Sequence, residues 1–311
     1  MRLFSAFLLM APAILANPVW IDTDPSVQQQ GVHEVDDGFA LVQAFRSKEL
    51  QIRGVSVVFG NAPLDQAFPI GQEIMRRYGQ KNVPLFKGAV SAADLGKETE
   101  ASRALADALR KERLTILVLG PATNVATVVR NHPELKGRIE QVIAVAGRRE
   151  GQRFRPSEDV RPFRDLNFEL DPDAFQVLLD SGVRLVLAPW EISSKVWMTG
   201  EDLDALVKAD SSLEWLVKAA RNWLEFWRRD LHTSGFNPFD ALAVAYAIAP
   251  DSLKCDRVSM TIRRLPDDTA ENATTSKPYL LRVDARPGKA LYCYEANASF
   301  KTDLMKRLTA H

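Results

Sequence analysis

Near its amino end the chain reads Val19-Trp20-Ile21-Asp22-Thr23-Asp24-Pro25, a short apolar stretch that leads into two aspartates. Because a β-strand repeats every two residues, Asp22 and Asp24 are expected to project to the same side. A second acidic pair, Asp36-Asp37, stands directly before an apolar pattern with helical spacing. In open α/β sheets, ligands usually bind beside such strand and helix ends. Close carboxylates repel one another unless a cation or shared protons neutralise them, so these residues predict a hard metal ion, Ca²⁺ or Mg²⁺.

Length and composition are those of an ordinary globular protein. The 311 residues, 46% hydrophobic and 26% charged, suffice for one large α/β domain. Forty basic residues balance forty acidic residues, so the net charge gives no electrostatic footprint for nucleic acid. Cys255 and Cys293 exclude a disulfide framework and offer no CxxC metal pair. One bridge and two buried thiols both remain open for them.

Residues 1–16 differ from the rest of the chain. Arg2 precedes an uncharged run, Leu3 to Ala16, with small residues towards its end. This pattern is typical of a secretory signal peptide, and the run is too short to span a bilayer as a stable helix. We therefore expect a signal peptide over residues 1–16, a single domain over 17–311, and an exported protein, periplasmic or secreted. If the run instead belongs to the mature fold, the expected location is cytoplasmic.

Apolar runs of strand length alternate with segments of helical periodicity. Strands are predicted from Val19 and near 52–59, 83–86, 114–119, 139–146 and 183–188. Helices are predicted after Asp36-Asp37 and over 64–78, 101–111, 122–130, 171–180, 201–208, 211–230 and 241–249. Three β segments, near 257–263, 279–283 and 290–294, and a helix from residue 300 complete the chain. The pattern predicts an α/β fold with an open, mostly parallel central sheet, helices on both faces, and a small β extension near the C-terminus.

Two further features concern the crevice that such a sheet forms. Polar residues follow several predicted strands: Asn61 follows the second, and Gly120-Pro121-Ala122-Thr123-Asn124 follows the strand at 114–119. Turn chemistry explains each of them alone, but their repeated placement at strand ends favours a common crevice. Residues 147–165 show no periodicity, and a connection of that length is usually functional or mobile.

Taken in order, these motifs resemble the successive signatures of nucleoside hydrolases, the inosine/uridine-preferring N-ribohydrolases. The matching residues are Asp22-Thr23-Asp24-Pro25 with Asp36-Asp37, Gly60-Asn61, Leu119-Gly120-Pro121-Ala122-Thr123-Asn124, Asn167 followed by Asp171-Pro172, and Asp240-Ala241-Leu242-Ala243. The resemblance covers roughly residues 18 to 250, which is more specific than any one motif. It implies a Rossmann-like fold and hydrolysis of ribonucleosides to ribose and free base, a reaction of purine and pyrimidine salvage.

The resemblance also implies a role for individual residues. One Ca²⁺ ion per subunit would be held by the carboxylates of Asp24, Asp37 and Asp240 and the main-chain carbonyl of Leu119. Asp24 would be the general base that takes a proton from the metal-bound water. The ribose ligands would be Asp36, Asn61, Asp165 and Asn167, with Asp22 supporting the metal ligands. The partners implied are a nucleoside substrate and further copies of the chain, in a homo-oligomeric dimer or tetramer, with no nucleic acid and no membrane.

The chain departs from the family pattern in three places. Ser26 to Val35 supplies ten residues between Pro25 and the paired acids, where the family has two. Asp165 stands where the family's Glu-x-Asn pattern has the longer glutamate. Phe239 occupies the position at which many members have a histidine that protonates the leaving base, and phenylalanine cannot donate a proton.

Other residues are therefore candidates for contacts with the leaving base. His232 and His33 could supply the missing acid, and Phe239 itself could touch the base. The residues that could stack on the base are Trp223, Trp227 and Phe236. Core packing is the commoner role of an aromatic stripe and is expected for Trp215 and Trp223.

Two other functions remain open from the sequence. A haloacid-dehalogenase-type Mg²⁺-dependent phosphatase also begins with an apolar strand and Asp-x-Asp, here Asp22-Thr23-Asp24. It would need a later lysine and an acidic pair near the metal, whereas Asp267-Asp268 is predicted in a polar turn. The second alternative is a non-catalytic exported protein that binds nucleosides or sugars on the same scaffold, which the loss of histidine at Phe239 permits. Retention of the aspartates argues against it, because burying carboxylates is costly.

Overall fold

A ten-stranded sheet runs through the computed structural model, which describes residues 16–270, 274–284 and 288–310. The predicted signal peptide, residues 1–16, lies outside the described residues except for its last position. The strands of this sheet are β1 (Asn17–Thr23), β2 (Leu50–Val57), β3 (Leu85–Lys87), β4 (Leu114–Val118), β5 (Ile139–Ala144), β6 (Arg148–Arg149), β7 (Leu185–Leu187), β10 (Leu253–Pro266), β11 (Ser276–Val283) and β12 (Ala290–Ala296). Two further strands, β8 (Met198–Thr199) and β9 (Gly235–Phe236), pair with each other.

The helices connect the strands and cover the sheet. They are α1 (Asp36–Phe45), α2 (Leu64–Tyr78), α3 (Glu100–Lys111), α4 (Thr123–Asn131), α5 (Leu166–Leu170), α6 (Pro172–Ser181), α7 (Trp190–Ser193), α8 (Gly200–Ala209), α9 (Glu214–Asp230), α10 (Phe239–Ile248) and α11 (Phe300–Leu308). Short 3₁₀ turns lie at Ala92–Asp94, Pro133–Arg138, Ser211–Leu213 and Pro250–Ser252. Among the helices of the described ranges, none has both the length and the apolar character needed to cross a membrane.

The strand order is β3-β2-β1-β4-β5-β7-β12-β10-β11-β6. The first seven strands in this order run parallel, whereas β10 pairs in antiparallel fashion with both β11 and β12. The prediction of a mostly parallel sheet with a small β extension is therefore confirmed. β10 is longer than predicted, because its side chains are largely half-exposed and its outer residues lack a clear apolar pattern.

The core forms two layers, one on each face of the sheet. Along β1, Val19 and Ile21 pack into one layer and Trp20 into the other, as expected for alternating side chains. The first layer includes α1, α9 and α10, and the second includes α3, α4 and α6. Since both faces of β1 are buried, the strand reads as a continuous apolar run. Helices on both faces of the sheet were predicted, and the structure confirms them.

The two cysteines form a disulfide bond between neighbouring strands. Cys255 of β10 lies opposite Cys293 of β12 in the antiparallel register, and their sulfur atoms are bonded. The sequence left open whether the two cysteines form one bridge or remain two buried thiols, and the structure shows the bridge. The bond ties the β extension to the strand that joins it to the parallel part of the sheet.

Removal of this bond tests its contribution to stability. We expect the double variant Cys255→Ser with Cys293→Ser to lose about 3–4 kcal/mol of unfolding free energy, because the bond closes a loop of 38 residues in the unfolded chain. Urea unfolding followed by circular dichroism measures the loss. The double variant should not respond to dithiothreitol, whereas the unchanged protein should. Equal unfolding midpoints would contradict the prediction.

Candidate active site

The site lies where the strand order reverses. β1 stands between β2 and β4, so the chain builds outward from β1 in both directions. The carboxyl ends of strands at such a reversal border the usual ligand crevice of a doubly wound sheet. Here they lead into Asp24 after β1, Asn61 after β2 and Leu119 after β4.

Asp24 is fully buried and tightly enclosed by main chain. Its Oδ2 accepts a hydrogen bond of 2.8 Å from the main-chain N–H of Asn61, and its Oδ1 has no partner within the described residues. A Cβ at Gly60 would lie 1.7 Å from Oδ2, and one at Gly120 would lie 2.8 Å from Cγ. Glycine is therefore needed at both positions so that the neighbouring loops can approach the carboxylate.

Asp37 is held next to Asp24 by three donors. The hydroxyl of Thr23 and the main-chain N–H of Asp24, the latter at 3.1 Å, donate to Oδ1. The side-chain amide of Asn61 donates to Oδ2 at 3.3 Å. Asp37 also lies in the first turn of α1, where the helix dipole favours negative charge. These contacts bring Asp24 and Asp37 together despite the residues inserted between them.

Three carboxylates form a group that fits a hard cation. Oxygen atoms of Asp36, Asp37 and Asp240 all lie within 4.8 Å of one another. The three side chains are buried, and Oδ1 of Asp36 and Oδ2 of Asp240 have no hydrogen-bond partner in the described part of the chain. Oxygen donors with free lone pairs suit Ca²⁺ or Mg²⁺. The group contains Asp36, for which the sequence predicted a ribose contact, and it does not contain Asp24, a predicted metal ligand.

Burial and mutual repulsion raise the pKa of these acids. Burial is the larger cause and holds the pKa of Asp24 and Asp240 well above the usual range, and neighbouring carboxylates add to it. Burial also raises the pKa of Asp37, but only to about 6, because hydrogen bonds from Thr23 and its other donors favour the charged form. A cation bound within the group would counteract these shifts by favouring the charged carboxylates.

Asp22 lies behind this group rather than within it. Its Oδ1 accepts hydrogen bonds from the hydroxyl of Ser56 and, at 2.9 Å, from the amide of Asn124. Burial raises the pKa of Asp22 to about 7. Asn124 in turn accepts the main-chain N–H of Ala89 at 2.9 Å. Asp22 therefore ties β1 to β2 and to the segment after β4, and Asn124 extends the network to the segment after β3.

Asn167 and Asp165 bind main-chain groups. The amide of Asn167 donates to the carbonyl oxygens of Leu119, at 2.7 Å, and Val145, at 3.1 Å. The carbonyl of Leu119, a predicted metal ligand, thus already accepts one hydrogen bond and keeps its second lone pair. Oδ2 of Asp165 accepts the N–H of Gly147 at 2.8 Å. Burial raises the pKa of Asp165 to about 6, against the opposing charge of Arg148.

A cavity of about 330 Å³ opens beside the carboxylates, a volume suited to a small molecule. Its polar lining residues, called here the carboxylate wall, are Glu34, Asp36, Asn61, Asp165, Asn167 and Asp240. Its aromatic lining residues, called here the aromatic wall, are Phe154, Phe163, Trp190, Trp223, Phe226, Trp227 and Phe239. Charged and apolar groups therefore border one ligand space.

Several predicted contacts with a leaving base do not reach this cavity. His232 is exposed after the end of α9, and neither it nor His33 is among the described residues that line the cavity. Phe236 packs in the core against Phe39, with 6.0 Å between ring centroids. None of these three residues is among the described residues that line the cavity; spacing along a sequence does not show which way a side chain points. Trp223, for which the sequence allows both core packing and stacking on the base, packs in the core and lines the cavity.

The structure adds lining residues that the sequence did not assign. Glu34 is half-buried and lines the carboxylate wall, and burial and the charge of Asp37 raise its pKa to about 7. Its position directly before Val35-Asp36-Asp37 could have identified it. Trp190 begins α7 just after β7. Because ligands of such sheets bind beside the carboxyl ends of strands, its position could have identified it too. Phe154 and Phe163 lie in the segment without periodicity and carried no such signal.

The inserted residues fold back and bind α9. The hydroxyl of Ser26 donates to the carbonyl of Glu34 at 3.1 Å, which closes the loop. The amide of Gln29 donates to the carbonyl of Trp215 at 2.7 Å, and Asn222 donates to the carbonyl of Gln29 at 3.2 Å. The inserted loop is therefore closed at its two ends, Ser26 and Glu34, and its middle is attached to α9. Glu34, at the second end, lines the cavity.

Solved structures with the same fold are nucleoside hydrolases. A plant nucleoside hydrolase matches with a TM-score of 0.77 at 20% identity, over 95% of this chain and 100% of that chain. A purine-preferring ribonucleoside hydrolase from Gardnerella vaginalis matches with a TM-score of 0.77 at 18% identity, over 94% and 98% of the two chains. At these identities the likeness shows a shared fold.

The sequence comparisons show the family. The probable ribonucleoside hydrolase of Dictyostelium discoideum is 26% identical over 291 residues, which cover 79% of this chain and 81% of that protein. A pyrimidine-specific ribonucleoside hydrolase of Citrobacter koseri is 24% identical over 266 residues, 76% and 81% of the two proteins. The model of the inosine-uridine preferring nucleoside hydrolases matches residues 19–297. The chain belongs to this family of N-glycosyl hydrolases, as the motifs predicted.

The phosphatase alternative loses its remaining support. The acidic pair that it required, Asp267-Asp268, binds the ammonium group of Lys277, at 3.4 Å and 2.9 Å respectively. Neither residue lines the cavity beside Asp24 or belongs to the carboxylate group. The two aspartates therefore form ion pairs within the β extension.

The enclosure of Asp24 predicts a strict need for glycine at position 60. In Gly60→Ala the new methyl group must displace the carboxylate of Asp24, and a shift of about 1 Å can lower kcat/KM about 100-fold. Gly137→Ala is the matched control, because a Cβ there meets nothing within 4 Å. Nucleoside hydrolysis and Tm are measured for both variants. Normal activity of Gly60→Ala would contradict the described packing.

The carboxylate group predicts stabilisation by a divalent cation. We expect Ca²⁺ at 100 times its Kd to stabilise the cation-depleted protein by about 2.7 kcal/mol, seen as a rise in Tm by calorimetry. Asp37→Asn and Asp240→Asn should reduce this rise, because each removes a charged ligand. Asp204→Asn, which alters an exposed ion pair with Arg221, is the control. The same rise in all four proteins would exclude this group as the binding site.

Proposed function

We propose that the protein hydrolyses the N-glycosidic bond of ribonucleosides and releases ribose and free base. The observation that carries this proposal is the single cavity with a carboxylate wall and an aromatic wall. Carboxylates and amides suit the hydroxyl groups of ribose, and aromatic rings suit the flat face of a base. The family of the chain and the names of its relatives support the same reaction.

We further propose Ca²⁺ as the cofactor, with one ion per subunit. The candidate ligands are the carboxylates of Asp24, Asp37 and Asp240, the carbonyl of Leu119 and, from its place in the carboxylate group, Asp36. Their buried and partly unpartnered oxygens fit such an ion. When bound, Ca²⁺ supplies Lewis acidity and a positive charge near the reacting water and the ribose diol.

Asp24 is the residue we assign as general base. The N–H of Asn61 fixes Oδ2, which leaves Oδ1 free to accept a proton from the attacking water. The water oxygen forms a bond to the anomeric carbon while the carbon–nitrogen bond breaks, and the electron pair of that bond leaves with the base.

The carboxylate wall can also hold and stabilise the sugar. Asp36, Asn61 and Asn167 line the cavity where hydroxyl groups of ribose would bind. Asp165 lines it as well, with one oxygen held by Gly147, so its shorter side chain is kept in a fixed position. As the sugar gains oxocarbenium character, nearby carboxylates stabilise its positive charge.

Export is a separate proposal, and two features support it. The apolar run of residues 1–16 follows the pattern of a signal peptide. The bond between Cys255 and Cys293 suits an oxidising compartment, where disulfides form and persist.

The reaction is tested with inosine, uridine and p-nitrophenyl riboside, each with Ca²⁺ and with EDTA. We expect release of reducing sugar that EDTA abolishes. Asp24→Asn should lower kcat by about 10³-fold, because a positioned general base contributes 10²- to 10⁴-fold. Asp204→Asn controls for the loss of a charge elsewhere.

Two results would contradict these assignments. An Asp24→Asn variant close to normal activity would refute Asp24 as the base. If the unchanged protein binds Ca²⁺ and nucleoside yet releases no sugar from any substrate, it is the non-catalytic binding protein that Phe239 in place of histidine permits.

A further inference from the structure

Four polar atoms of the lining residues are buried without a hydrogen-bond partner among the residues described. Two are carboxylate oxygens on the carboxylate wall, Oδ1 of Asp36 and Oδ2 of Asp240. The other two are the indole nitrogens of Trp190 and Trp227 on the aromatic wall. Buried donors and acceptors rarely stay unpaired in native proteins, so each of these atoms calls for a partner. The lining residues thus include two buried acceptors and two buried donors that lack a partner within the described part of the chain.

Trp227 is the more firmly placed of the two donors. It is fully buried in α9, and its ring meets Phe163, Trp197 and Trp223 edge-on, at centroid distances of 6.2, 6.0 and 6.0 Å. These contacts fix the orientation of the ring. A fixed N–H dipole can stabilise a developing charge without first reorienting.

Trp190 is held by a separate set of contacts. Its ring packs on Phe154 at a centroid distance of 5.2 Å, and the guanidinium group of Arg148 covers Phe154 at 3.9 Å from the ring centroid. Arg148 is buried and bonded to Asp268 at 2.7 Å. The position of Trp190 therefore depends on a buried ion pair.

The place of Trp227 connects it with the leaving base. Its ring contacts Phe239 at a centroid distance of 6.2 Å, and Phe239 directly precedes Asp240 of the carboxylate group. If ribose binds the carboxylates, its base is expected to lie among the aromatic lining residues of the same cavity. As the bond breaks, negative charge collects on ring nitrogens and carbonyl oxygens of the base. The described lining residues include no histidine that could protonate it.

We propose that the indole N–H groups of Trp227 and Trp190 donate hydrogen bonds to the leaving base and stabilise its negative charge. This inference rests on the proposed function. The indoles keep their protons, so the base leaves as a hydrogen-bonded anion and then takes a proton from water. The preferred substrates are therefore ribonucleosides whose bases carry hydrogen-bond acceptors on the edge that faces these two side chains.

The test compares two kinds of leaving group in Trp227→Phe, Trp190→Phe and the double variant. Phenylalanine keeps an aromatic ring and removes the N–H. We expect kcat/KM for inosine and uridine to fall about 10- to 100-fold for each lost hydrogen bond to a charged acceptor. Hydrolysis of p-nitrophenyl riboside should change little, because nitrophenolate leaves without help. Across a series of substituted phenyl ribosides, the variants should depend more steeply on leaving-group basicity.

Trp197→Phe is the matched control, since Trp197 packs on Trp227 but does not line the cavity. It should leave both kinds of substrate unaffected. If Trp227→Phe fails to fold by circular dichroism, Trp190→Phe alone decides, because its ring is less buried.

Three outcomes would overturn the inference. Equal losses on nucleosides and on p-nitrophenyl riboside would reveal a merely structural role, and unchanged nucleoside hydrolysis would exclude any role. A loss confined to nucleosides in Arg164→Gln, with none in the tryptophan variants, would transfer the role to the guanidinium group that lines the cavity. If the unchanged enzyme cleaves no riboside, the proposed function falls first and this inference with it.

Discussion

Repulsion between buried carboxylates is the constraint on which the rest of the site depends. Five aspartates at the carboxyl ends of strands and the first turns of helices are buried with almost no contact with solvent: Asp22, Asp24, Asp36, Asp37 and Asp240. Such charges need fixed donors or a cation, and the chain supplies donors from the ends of neighbouring strands. The motifs that look like turn chemistry in the sequence therefore have a second purpose. They bring N–H groups, hydroxyls and amides to the acids, and glycines leave room for them.

The fold and the position of the site could be predicted because both depend on local patterns. Buried parallel strands are apolar runs, the bounds of α2 agree with the periodicity of residues 64–78, and polar residues after strands locate the crevice. Which acids group together could not be predicted. That depends on how α1 and α10 pack against each other on one face of the sheet, and their packing brings Asp36 beside Asp240. For the same reason His232, close to the last motif in the sequence, lies outside the cavity.

Two members of the aromatic wall, Phe154 and Phe163, escaped prediction for a different physical reason. Phe154 and Phe163 belong to a segment whose conformation depends on ion pairs between residues far apart in the chain. Arg148 binds Asp268 at 2.7 Å across 120 positions, and Lys277 binds Glu169 at 2.8 Å across 108. From the sequence alone, charged residues so far apart are expected to be exposed to solvent and not paired with each other. In the structure they form ion pairs beside the segment that carries Phe154, Phe163, Arg164 and Asp165 of the cavity lining.

The attachment of the inserted loop to α9 joins the two walls of the cavity. Hydrogen bonds from Gln29 and Asn222 connect the loop that carries Glu34 to the helix that carries Trp223 and Trp227. Any displacement of this helix moves sugar-side and base-side groups at the same time. The binding free energies of the two halves of a nucleoside are then not independent, since ordering one wall also orders the other. For the proposed nucleoside substrate, ribose or base alone would gain only part of what the intact molecule gains, and we expect the cavity to bind the uncleaved substrate more tightly than its products.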